Sequence, residues 1–271
     1  MRHLLLCSAA IAALVCAGAR AQAQDNMQKL ENMQATGTGS ATFGYVPQND
    51  AYAEQLRKNL EKIKLPEGFK INLYAVVPDA RHMAVGPQGV VTFVGTRKDS
   101  VWAVTDRNKD GTADEVKRFA PSLEFAIPNG VCFSKDGFLY VAERNRVRTF
   151  PAAEFFYESP DVAVGDVIKE GGLIPPGDES FNHTARVCVV GPDKKLYIQL
   201  GQPYNVPPKA KVEPFKEVGI GGIIRVDQNG ANREVYATGL RNPVGFDFNP
   251  TTGELWTNDN QVDGMGDDIP P

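Results

Sequence analysis

The sequence predicts an all-β protein built from repeating strand–turn–strand units, and three observations carry that prediction. The first is an imperfect repeat. Four segments show a small or apolar run, a turn, then an apolar run with an aromatic residue: MAVGPQGVVTFVGT from Met83, GVCFSKDGFLYVAE from Gly130, RVCVVGPDKKLYIQL from Arg186 and VGFDFNPTTGELWTND from Val244. The second is their spacing. The turns start at Gly86, Ser134, Gly191 and Asn249, so the unit recurs after 48, 57 and 58 residues, which leaves room for four short strands. The third is turn chemistry: Ser-Lys-Asp-Gly and Gly-Pro-Asp-Lys put Asp, Gly or Pro where a tight hairpin needs special backbone angles. Periods of this size with such turns point to the blades of a β-propeller. A β-sandwich has no need for turn chemistry that recurs in register. The aromatics Phe93, Tyr140, Tyr197 and Trp256 then read as packing between blades rather than as ligand contacts.

Residues 1–23 read as a secretory signal: a basic start at Arg2 and His3, an apolar run from Leu4 to Ala17, and small-residue cleavage sites at Ala19-Arg20-Ala21 and Ala21-Gln22-Ala23. The run is short and alanine-rich for a membrane span, so no stable membrane insertion is expected after cleavage, and the protein is expected in the periplasm or outside the cell. A lipoprotein reading at Cys16 has bulky Val15 where a small residue belongs, and a retained N-terminal anchor is the remaining alternative. Cleavage removes two arginines and no acids, taking the net charge from −4 to −6. There is no basic stretch to neutralise phosphates, which argues against nucleic acid as a partner.

Cys132 and Cys188 remain after cleavage, each inside an apolar run. Superposing the repeats sets Cys132 opposite Val189, so with period-two alternation the two thiols point to opposite sides. Two buried free thiols are therefore expected, although an exported protein could pair them. No C-x-x-C-H motif encodes a covalent haem.

Residues 24–64 read as a polar lead-in with one helix. Gln24 to Gln48 has little to bury and is expected to be mobile. Asn49 or Asp50 can cap a helix over Ala51 to Ile63, with Tyr52, Leu56, Leu60 and Ile63 as its apolar stripe. Residues 65–271 form the propeller region. Within it, Asp106-Arg-Asn-Lys-Asp-Gly resembles half of a calcium loop with Asp114 as a later ligand, but Lys117 stands where a bidentate glutamate belongs, and a polar turn is the favoured reading.

The chemistry is expected at one mouth of the propeller. Aligning the turn at Gly191 with that at Asn249 sets His183 on Arg241 and Thr184 on Asn242. Equivalent loops of successive blades share one mouth, so a base and a fixed cation should converge there. A hydrogen-bonded loop histidine is the bland alternative for His183. A final cluster, Asp259, Asp263, Asp267 and Asp268, suits a hard cation such as Ca²⁺ or else a solvated acidic loop.

HTARVCVVGPDKKLY, followed by GLRNPVGFDFNPTTGELWTNDNQVDGMGDDIPP, resembles the soluble quinoprotein sugar dehydrogenases, and most of all the sorbosone dehydrogenase-like branch of the glucose/sorbosone dehydrogenase family. The resemblance runs from about Leu65 to the last residue. It implies a six-bladed propeller holding pyrroloquinoline quinone (PQQ) beside Ca²⁺. It also implies that His183 is the general base, that Arg241 binds the reactive quinone oxygen and Asn242 holds the cofactor beside it, and that Asp263, Gly264, Asp267 and Asp268 surround the calcium. A small sugar would be the substrate and a separate carrier the electron acceptor. Six blades of roughly 50 residues need about 300, whereas Phe69 to Pro271 supplies about 200, enough for about four. A fragment of a longer protein is the expectation. Two other functions compete. Pro128-Asn129-Gly130 looks like the strand of a gluconolactonase-type, metal-dependent lactonase that carries a metal-ligating asparagine. A non-catalytic exported binding propeller would leave His183 as a loop residue.

Overall fold

Each recurring turn reverses the chain through one residue in the left-handed region: Gly89, Gly137, Lys194 and Gly253. In the first three, the amide of that residue closes the turn onto the carbonyl of Gly86, Ser134 or Gly191. Lysine in the third turn bears the steric strain that glycine avoids in the others. These reversals organise a computed structural model that describes residues 24–31, 33–35 and 42–266. The predicted secretory signal lies outside the described residues.

The strands follow the repeats. β2 (Ala80–Val85), β3 (Val91–Thr96), β4 (Val101–Thr105) and β5 (Glu115–Phe119) form sheet I. β6 (Gly130–Phe133), β7 (Leu139–Ala142), β8 (Val147–Phe150) and β9 (Ala163–Ile168) form sheet II. β10 (Cys188–Val190), β11 (Leu196–Leu200), β12 (Gly222–Val226) and β13 (Glu234–Thr238) form sheet III, and β14 (Pro243–Phe248) with β15 (Leu255–Asp259) forms sheet IV. Sheets I to III are antiparallel meanders in sequence order. Their first strands come so close that a Cβ on Gly130 of β6 would lie 2.7 Å from the Arg186 carbonyl. Among the described residues the succession of sheets does not close on itself.

Each sheet offers one face to the sheet before it and one to the sheet after. Val131, Leu139 and Val141 pack with Phe93 of sheet I, while their strand neighbours Cys132, Tyr140 and Ala142 pack with Cys188, Leu196 and Ile198 of sheet III. Tyr197 then packs forward on Phe246 of sheet IV. The aligned aromatics Phe93, Tyr140 and Tyr197 are thus inter-sheet core as predicted. Trp256 is not: it is 67% exposed, because it points forward from sheet IV, where no further described sheet stands. Met83 and Val85 point backward from β2 and are exposed for the same reason.

This alternation corrects the cysteine expectation. Cys132 and Cys188 form a disulfide. Opposite facing in superposed repeats is the condition for contact between neighbours, since Cys132 looks forward and Cys188 looks back. The error lay in treating the two strands as one sheet rather than as two that face each other.

The lead-in is partly built into the fold. α1 (24–30) places Lys29 2.7 Å from the Asp136 carboxylate, β1 (Gln34–Ala35) extends sheet II at β9, and the Val46 amide donates to Val116. The predicted helix is α2 (Ala51–Leu60), with the Asp50 carboxylate accepting from the Ala53 amide at its start. It ends before Ile63, and its covered side runs through Ala53, Leu56 and Leu60. Tyr52 and Ile63 are exposed, because small Ala53 sets the close approach. The 106–114 segment is a hydrogen-bonded turn. Asp106 accepts the Asp110 and Gly111 amides, Asp110 accepts Thr112, and Asp114 accepts Arg107 at 2.6 Å. The short helix α3 (Ala153–Phe156) follows β8, and α4 (Lys209–Val218) lies between β11 and β12.

Candidate functional site

The site is built where β10 and β14 begin and β11 ends. His183 lies five residues before β10, with φ at +53°, a conformation that costs a non-glycine residue about 1–3 kcal/mol and needs outside support. Three contacts supply it. The ring Nδ1 lies 2.5 Å from the Gln202 carbonyl, the His183 carbonyl accepts Arg186 Nη1 at 3.1 Å, and the His183 Cβ abuts Gly201. A carbonyl only accepts, so Nδ1 carries a proton, and in the neutral ring the lone pair is on Nε2. This is the tautomer a base needs.

Gly201 is a point of close approach. A Cβ there would sit 2.6 Å from both the His183 Cβ and Asn242 Oδ1. The next amide, Gln202 N–H, donates to the Arg241 carbonyl at 2.9 Å. Gly201-Gln202 therefore ties His183 to the Arg241-Asn242 pair, and Asn242 is the side chain that arrives beside the histidine. Asp259 fixes that pair from behind: its two oxygens accept the amides of Arg241 at 2.9 Å and Asn242 at 2.7 Å.

The Arg241 guanidinium is buried, with four of its five N–H donors engaged. It donates to the Asn205 carbonyl, Asn205 Oδ1, the Asn260 carbonyl and Asp263 Oδ2, the last at 2.6 Å. His183 and Arg241 are thus linked through the backbone at Gln202, while the cation turns to the 205 and 260–263 segments. The residues expected to surround calcium begin at the same place. The Asp263 carboxylate, on an 80% exposed side chain, pairs with Arg241, and Asp259 holds backbone amides and Gln261. Gly264 is exposed on its turn, and Asp267 and Asp268 lie outside the described residues. Among the described residues no group of three His, Cys, Asp or Glu side chains could hold a metal ion.

Sequence reasoning missed Gly201, Asp259 as a backbone strap, and Arg186. The LGQP run after β11 signals a tight turn, but only the fold shows what passes over it. Gln202 and Asn205 act on His183 and Arg241, while Tyr204 stacks on Phe215 of α4 at 6.2 Å. Arg186 is 1% exposed, and burial pushes its guanidinium down to about 10, with Glu179 acting in the opposite sense. Thr184 Oγ1 and Gln199 Oε1 are buried with no hydrogen-bond partner among the described residues. Thr184 Oγ1, an orphaned donor next to His183 in the chain, and the Asn242 amide suit a planar ligand rich in oxygens, so these residues fit a quinone acid.

Residues 173–269 match the family model for glucose/sorbosone dehydrogenases. The matched span contains His183, Gly201, Arg241 and Asn242. An uncharacterized protein of Borreliella burgdorferi is 25% identical over 81% of this chain and 54% of its own length. The iodide structure of Trichoderma reesei Carbohydrate-Active Enzymes Family AA12 superposes with a TM-score of 0.58 at 20% identity, over 73% of this chain and 50% of that one. The holo PQQ domain of pyranose dehydrogenase from Coprinopsis cinerea superposes at 0.54 with 14% identity, over 70% and 45%. The likeness to these structures is one of fold. This chain spans about half the length of the relatives it matches.

Proposed function

We propose that this chain carries the base and quinone-anchoring part of an exported sugar dehydrogenase that uses PQQ, in a six-bladed propeller of which sheets I to IV are blades. The observation that carries the reading is the His183 imidazole, its Nδ1 held by the Gln202 carbonyl, with the Asn242 side chain and the His183 Cβ packed on the same Gly201. Nε2 accepts the proton of a sugar hydroxyl. Asn242 and Arg241 would hold the quinone, Asn242 through its amide and Arg241 through a cation that stabilises negative charge on an oxygen. When bound, PQQ supplies the two-electron acceptor for the hydride. The buried Thr184 hydroxyl, next to His183 in the chain and without a hydrogen-bond partner among the described residues, would be a further donor. The loop from Asp263 onward is the proposed seat of Ca²⁺, with the Asp263 carboxylate also pairing with Arg241.

The forward and backward faces of the sheets support the propeller, and the match to the glucose/sorbosone dehydrogenase family model, with the likeness in fold to a PQQ domain, supports the chemistry. The Cys132–Cys188 disulfide supports an oxidising compartment and hence export. The substrate class is a sugar or sugar aldehyde, with sorbosone within range. Electrons pass to a separate carrier. For the lactonase alternative, the Asn129 amide nitrogen already donates to the Arg186 carbonyl at 2.7 Å.

The test is dye reduction by the protein, expressed with whatever follows Pro271 in its natural reading frame, supplied with PQQ and Ca²⁺ and offered aldoses and sorbosone. Quinone-dependent reduction supports the reading. Quinone binding without oxidation of any sugar overturns it, and metal-dependent lactone hydrolysis without quinone would establish the alternative. His183→Gln should lower kcat by about 10²–10⁴-fold while quinone binding persists.

A further inference from the structure

We infer that Arg186 is a positioning residue for His183: its fully buried guanidinium holds the histidine's main chain in the left-handed conformation that aims Nε2 at the substrate. The inference rests on the reading of His183 as the base. Arg186 stands three residues on, and its Nη1 donates to the His183 carbonyl at 3.1 Å. Its Nε donates to the Arg144 carbonyl of sheet II at 2.9 Å, and its own carbonyl accepts Asn129 Nδ2 at 2.7 Å. The side chain thereby joins the mouth of sheet II to the loop that carries the histidine.

Stability does not call for such an arrangement. A charge removed from water costs free energy unless it is closely paired. Here the nearby carboxylate is turned elsewhere, since Glu179 meets Arg144 Nε at 3.0 Å and Asn145 Nδ2 at 2.5 Å. Among the described residues, Arg186 donates to two backbone carbonyls instead. A cation buried to hold peptide oxygens makes physical sense where one of those peptides must be kept in a strained conformation. His183, at φ +53°, is that peptide. Gln202 fixes the ring and Gly201 receives the Cβ, so Arg186 completes the set by fixing the carbonyl.

The test compares Arg186→Met and Arg186→Lys with the wild type, with ¹⁵N-histidine NMR and kinetics as readouts. The Nδ1–H resonance held by Gln202 is assigned by its loss in His183→Gln and needs no bound cofactor. Arg186→Met is expected to keep its disulfide and unfolding midpoint, lose that resonance, and drop in kcat about 100-fold at unchanged KM. A structural arginine predicts the converse, a lowered midpoint with the resonance retained, and that result overturns the inference. Should the Met variant not fold, Arg186→Lys decides. It keeps the charge but offers one donor centre for two carbonyls, so its Nδ1–H signal should broaden, and a wild-type signal with wild-type kcat overturns the proposal. If His183→Gln retains full turnover, the base reading fails by itself, and the resonance in the Arg186 variants still reports on positioning.

Discussion

Tyr197 and Trp256 occupy the same place in sheets III and IV, the second residue of the strand after the turn, yet their surroundings are opposite. Tyr197 is 2% exposed and meets Phe248 and Tyr236 edge-on, each at 5.0 Å, with its hydroxyl on Asp193. Trp256, with more apolar surface to hide, lies open. The repeat assigns each aromatic a direction, and the next sheet determines whether that direction is buried. Hydrophobicity of the residue settles neither point.

The contrast can be broken in measurable ways. The largest effect is expected from Tyr197→Ala, which removes a ring from the III–IV interface and should cost about 3–5 kcal/mol in urea unfolding, as large-to-small core changes do. Next is the double variant Cys132→Ala/Cys188→Ala, which frees a crosslink between residues 56 apart and should cost about 2–4 kcal/mol, read in the same way against the oxidised protein. A smaller, pH-dependent effect belongs to His82 on β2, whose Nδ1 reaches the Val131 carbonyl of sheet II at 3.1 Å. Burial lowers its pKa below the ordinary histidine value, so the folded state favours the neutral ring. Its contribution is full above about pH 6.5 and is lost as pH falls through that value toward the lowered one. His82→Gln should flatten the stability profile in that window. The smallest effect is expected from Trp256→Ala, within about 0.5 kcal/mol. A loss comparable to that of Tyr197→Ala would show that the forward face of sheet IV is covered in solution.

The repeat made the sheets legible, because turn residues and alternation are local properties. It also reached the disulfide, but with the wrong sign: alternation within a strand says which way a thiol points, and only the stacking of sheets says what it points at. The site was legible in part. His183 stood out as a histidine where no turn needs one, and alignment found Arg241 and Asn242. The engagement of Arg241 by Asp263 and Asn205 was not legible, since it depends on a loop that folds back over more than 50 residues. The order in the lead-in was hidden for a similar reason. Lys29 and Val46 gain their partners from Asp136 and Val116, and nothing in the local composition announces them.

The Cys132–Cys188 bond also makes a covalent ring of most of sheet II and the whole connection that delivers His183. A protease that nicks this connection between Lys169 and Asn182 would therefore leave one molecule on a non-reducing gel and two after reduction. Before reduction, the segment that bears Arg186 and leads into β10 would stay tethered to sheet II while the histidine loop had a free end. Turnover of the nicked, unreduced protein would then show whether the site depends on chain continuity or only on the contacts that hold its parts together.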